Sequence, residues 1–121
     1  MALETIGIAV CALGFAFMGA AAIVAPTRVT AQFDVPTLSV AGSNEVRAVY
    51  GGFGLAMAAI LSLAVLDPAL RAGICLTAAA ALAGMAAGRA LSAAIDRGIG
   101  GFPLLYLAIE TAAAVMLFTA A

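Results

Sequence analysis

At 121 residues, 66% hydrophobic and 9% charged, this chain carries more apolar surface than a water-soluble fold of its size can bury. A net charge of −1 with no lysine leaves no basic footprint for nucleic acid, and the lack of histidine removes the commonest metal ligand and general base. The solvent is therefore lipid, and neither a metal nor a cofactor is expected.

A helix crossing the hydrocarbon layer needs about 20 apolar residues. Four stretches qualify: 3–25, 44–66, 68–95 and 102–120. The expected fold is all-α, an integral membrane four-helix bundle forming a single domain over residues 1–121. The first stretch has Ala-rich, cleavage-like text near Met18–Ala22, but the residues before it include Glu4 and no positive charge. Signal peptides carry a positive start, so this run reads as a retained membrane helix. Its Gly7, Gly14 and Gly19 permit close helix contact.

Pro26 to Ser43 is the one substantial polar connection. Val29 and Phe33 stand four apart, which predicts a short interfacial helix over 27–33. It serves either as a lid or partner surface, or simply as a wetted connector. The second helix opens with Asn44 as N-cap and Glu45 in the first turn, where a carboxylate suits the helix dipole. Gly51, Gly52 and Gly54 follow as packing positions. Asp67 caps the third helix with Pro68 at its first position. On that helix Ala72, Ala80, Gly84, Gly88 and Ser92 are spaced by fours or eights, a small-residue face that admits another backbone. Gly98 is the expected terminator. Cys11 and Cys75 read as small buried apolar side chains in the same half of the membrane, which leaves a disulfide between them open.

Four spans place both termini on one side. That side receives Glu4, Asp67 and Arg71; the other receives Arg28, Asp34, Glu45, Arg47, Asp96 and Arg97. Arg89 and Glu110 lie about 9 Å and 12 Å below this second side, at about 1.5 Å per residue. The short turn at 96–101 makes their helices antiparallel neighbours, so the two charges are natural partners at matching depth. Tyr106 shares a face with Glu110, Tyr50 with Arg47, and Ser92 and Asp96 with Arg89. Turned inward, these stripes form one polar cluster: Glu45, Arg47, Tyr50, Arg89, Asp96, Tyr106 and Glu110. Pairing lowers the penalty of an intramembrane charge, about 2.5 kcal/mol or more. The cluster is either a structural network that fixes helix register, the lining of a cavity for a polar or amphipathic ligand, or a partner-recognition surface.

The text Glu45-Val-Arg47-Ala-Val-Tyr50-Gly51-Gly52, with Gly88-Arg89 and Asp96 on the third helix and Glu110 on the fourth, resembles a family of small four-span bacterial membrane proteins classed as a domain of unknown function. The resemblance extends over essentially the whole chain. It implies the same fold, singles out those residues, and brings no established activity. Small multidrug exporters compare in length and span count, but they place an embedded glutamate in the first helix. Here the embedded glutamate is Glu110, in the fourth.

Three functions follow from these features. The first is a non-enzymatic accessory or interaction protein of the bacterial inner membrane, associating with itself or with a larger membrane complex through its Ala/Gly-rich faces. The second is a binder or carrier of a lipid or small amphipathic molecule, with Arg47 and Arg89 holding an anionic head group. The third, a membrane enzyme using Glu110 or Asp96 beside Tyr106, lacks a readable nucleophile–base pair; no catalytic residue is assigned. Arginine counting puts Arg28, Arg47 and Arg97 against Arg71, which makes both termini periplasmic by the positive-inside rule.

Overall fold

A computed structural model of the protein describes Leu3–Ala121. Met1 and Ala2, which open the segment weighed as a signal-peptide head, lie outside the described residues. Six α-helices and one π-helical turn make up the fold of the described residues: α1 (Leu3–Val24), α2 (Pro26–Ala31), α3 (Val40–Val46), the π turn (Arg47–Gly52), α4 (Phe53–Leu66), α5 (Pro68–Asp96) and α6 (Gly101–Ala120). α3, the π turn and α4 run on as one continuous helical segment, Val40–Leu66. This segment, α1, α5 and α6 are long and apolar enough to cross a membrane, which marks a multi-pass membrane protein. The exposed surface agrees, since Leu13, Phe17, Leu66, Ile95 and Phe118 are all more than half exposed. Each such side chain left in water forgoes about 1.5–3 kcal/mol of burial, and lipid removes that penalty.

The described residues fall into two compact units. One holds the start of α1, to Ile8, together with everything from Leu63 onward; the other holds Ala9–Ser62. In the second unit α1 and α4 cross at glycines. A methyl group on Gly19 would stand 2.7 Å from the Leu55 nitrogen and 2.8 Å from the Gly51 oxygen. One on Gly54 would stand 3.0 Å from the Gly19 Cα, and one on Gly51 would stand 2.6 Å from Ile23 Cδ1. Only hydrogen fits at such a crossing, and close backbone approach is what holds helices together where lipid removes the hydrophobic incentive. Phe15 and Phe53 pack edge to face beside it, ring centroids 6.5 Å apart.

The connection between α1 and α3 is tied to itself. Pro26 opens α2 at its first position. The buried Thr30 donates its hydroxyl to the Val35 carbonyl at 2.7 Å, and the Val35 N–H returns a bond to the Thr30 carbonyl at 3.0 Å. This closes the corner in which Asp34 is left-handed (φ 64°). The expected short helix is present, over Pro26–Ala31. The predicted N-cap Asn44 is corrected: the cap lies five residues earlier, where the Ser39 hydroxyl accepts from the Gly42 N–H at 3.0 Å. Both are good capping residues, and no apolar periodicity before Asn44 separates them.

In the first unit α5 packs along α6. Asp67 caps α5 through the Ala69 N–H, with Pro68 at the first position, as the sequence predicts. At the other end the left-handed residue is Arg97 (φ 53°), one before the expected Gly98. Gly98 instead supplies the N–H that reaches back to the Ala93 carbonyl at 3.1 Å, closing a Schellman turn. Cys11 and Cys75 are buried thiols in no disulfide.

Candidate functional site

The buried stripe of α5 is Cys75, Ala78, Ala79, Leu82 and Ala86, and it runs on into Arg89. The buried stripe of α6 is Glu110, Ala114, Leu117 and Ala120. Both follow spacings of three and four, so the helices meet along these stripes and bring Arg89 against Glu110. Arg89 Nε donates to Glu110 Oε1 at 3.0 Å and Oε2 at 2.8 Å, and Nη2 donates to Oε1 at 2.8 Å. Tyr106, one turn before Glu110, lies under the guanidinium with its ring centroid 5.6 Å from Arg89 Cζ. Glu110 is 5% exposed, whereas 23% of the Arg89 side chain remains exposed. A planar guanidinium held by a carboxylate and an aromatic face is a neutral, register-fixing unit.

Arg47 behaves differently. Its Nε donates to the Ile23 carbonyl at 3.0 Å. Ile23 lies in the last turn of α1, whose final carbonyls have no partner within the helix. The π turn starts at Arg47 itself. Such a turn widens the ladder to i→i+5 bonds, so Val46 and Arg47 are rotated relative to the helix that follows. Val46 is buried, and Arg47 reaches across to α1. Arg71, to which the sequence pattern assigns no role, does the same for α4. Its Nε and Nη2 donate to the Ala64 and Val65 carbonyls at 3.1 and 3.3 Å. Unsatisfied carbonyls at membrane depth cost several kcal/mol, about the penalty of any bare polar group in lipid. Cations at helix C-termini also meet a favourable dipole.

Of the expected cluster, the structure brings Arg89, Tyr106 and Glu110 together. Arg47 is bonded to a backbone carbonyl, and Tyr50 is half-buried. Glu45 and Asp96 are exposed and form no ion pair among the described residues. Among the packing residues Gly51 and Gly54 sit in the α1–α4 crossing, while Gly52 is exposed and approaches nothing but its own helix. Ala80, Gly84, Gly88 and Ser92 lie on the exposed side of α5. Beside the ion pair, a groove of about 410 Å³ is lined by Met85, Gly88, Arg89, Ser92, Ile99 and Pro103.

A family model described as a domain of unknown function matches residues 3–121. No curated protein and no solved structure matches the chain.

Proposed function

The chain belongs to the DUF4345 family, a domain of unknown function, and on that premise we propose that it is a non-enzymatic subunit of the bacterial inner membrane that binds another transmembrane helix along the outer face of α5. One observation carries this reading. A methyl group placed on Gly73, Gly84 or Gly88 would meet nothing within 4 Å. A glycine inside a helix is less stable than alanine by about 0.5–1 kcal/mol, and none of these three recovers that through a contact among the described residues. Gly19, Gly51 and Gly54 do recover it, at the α1–α4 crossing. A face meant for acyl chains is served equally well by leucine. The run Gly84-Met-Ala-Ala-Gly88, continued by Ala80 and Ser92, has the small-xxx-small spacing that lets a second helix approach backbone to backbone.

The test is the size of the full chain purified in mild detergent, wild type against Gly84→Ile/Gly88→Ile. The wild type is expected to run above monomer mass, as an oligomer or with a co-purifying membrane protein. The double variant is expected to run as a monomer with the same helix content. A monomeric wild type with nothing bound would contradict the reading.

The arginines also bear on orientation. Arg47 and Arg71 are held by helix-end carbonyls and Arg89 by Glu110. Arg28 and Arg97 are exposed, with no side-chain bond among the described residues. Span parity puts both on one side, which the positive-inside rule makes cytoplasmic. Both termini are then periplasmic. A C-terminal alkaline phosphatase fusion is expected to be active and a C-terminal green fluorescent protein fusion dark; the reverse pattern would overturn this orientation.

A further inference from the structure

We propose that the groove beside the ion pair on the α5–α6 hairpin binds the glycerol-ester region of a membrane diacyl lipid, with the Ser92 hydroxyl as hydrogen-bond donor to an ester carbonyl. Three observations converge on it.

The first is an unused hydroxyl. Ser62, Thr77, Thr111 and Thr119 each donate to a carbonyl three or four residues back in their own helices. Ser92 makes no such bond, although it too is helical, and it lines the groove. At the edge of the hydrocarbon layer a hydroxyl without a partner is disfavoured, so an acceptor supplied from outside the chain is favoured there.

The second is the chemistry of the walls. The polar groups lining the groove are a guanidinium and a hydroxyl, and no carboxylate lines it. Glu110 already balances the Arg89 charge through three short contacts. An anionic group therefore finds little net attraction, whereas an uncharged carbonyl finds the Ser92 hydroxyl in a low-dielectric setting. Met85, Ile99 and Pro103 supply apolar walls for the chain attached to that carbonyl.

The third is depth. α5 has 29 residues and is about 43 Å long, matching a bilayer with its headgroups at about 40–45 Å. From the Asp96 end, Ser92 lies about 6 Å and Arg89 about 10 Å inward by the same rise. They bracket the boundary between headgroup and hydrocarbon, the level at which a diacyl lipid carries its ester carbonyls. The groove shares Gly88 and Ser92 with the end of the α5 face proposed above, so the lipid sits beside a partner helix centred on Ala80 and Gly84, and the ester-against-ether ratio is read apart from the oligomeric state.

The experiment offers the full-length protein equal amounts of a diacyl phosphatidylcholine and its dialkyl-ether analogue in mixed micelles. Retained lipid is counted by native mass spectrometry. The ether lipid keeps the head group and chains but lacks the carbonyls. The wild type is expected to retain the diacyl form up to about tenfold over the ether form, the difference that one hydroxyl–carbonyl hydrogen bond makes. Ser92→Ala is expected to bring that ratio toward one, and Ile99→Trp, which fills the groove from the turn, to lower retention of both lipids. Equal retention by the wild type would overturn the proposal. So would a full preference persisting in Ser92→Ala, or unchanged retention in Ile99→Trp, each variant having wild-type helix content.

Discussion

Glu110→Gln and Arg89→Leu are each expected to destabilise the protein by about 3–5 kcal/mol, and the double replacement by clearly less than the sum. Either single change leaves one charge of a buried pair without its counterion. The arginine alone loses its three short contacts to the carboxylate, and the glutamate alone is 5% exposed with no other cation bonded to it among the described residues. In lipid the penalty is not relieved by water, as it is for an exposed pair. Removing both charges removes both penalties and leaves two uncharged helix faces. Reversible unfolding by SDS titration in mixed micelles reads all four corners of the cycle. A coupling of about 1–3 kcal/mol is expected; a coupling near zero would separate the two residues energetically.

Gly19→Ala is expected to be the most damaging single-methyl change in the chain, while Gly14→Ala is expected to be neutral or stabilising. At Gly19 the new methyl meets backbone atoms at 2.7 and 2.8 Å, and backbone cannot move aside as a flexible side chain can. The α1–α4 crossing must open, with a loss of about 1–3 kcal/mol or more. At Gly14 nothing lies within 4 Å. There the gain in helix propensity of about 0.5–1 kcal/mol is not opposed. The same titration, run on both variants, checks the sign at each position. A Gly19→Ala protein as stable as the wild type would mean that the crossing is not tightly packed.

Much of this architecture is legible in the residues because lipid imposes simple rules. Each span needs its own apolar run, and Asp67-Pro68 announces a helix start in two residues. Arg89 and Glu110 can be paired from the sequence because a tight turn forces antiparallel neighbours and equal depths. What stays hidden is what depends on backbone. The π turn leaves the apolar run from Val46 to Leu66 unbroken, so no periodicity marks it. The partners of Arg47 and Arg71 are carbonyls, which every residue has and which no side-chain pattern distinguishes. The small residues of α5 do form a face, but spacing alone does not say whether a face turns inward. The larger buried side chain of Leu82 and the ion pair at Arg89 turn the opposite side inward.

These pieces describe a membrane protein whose embedded charges hold its own helices and whose α5 carries an exposed glycine face. A density map of the protein, extracted with its surrounding native lipid, tests that description most directly. A transmembrane helix is expected along Ala80 and Gly84, close enough to exclude acyl chains there. Acyl chains covering that face in every particle, with no helix against it, would contradict it.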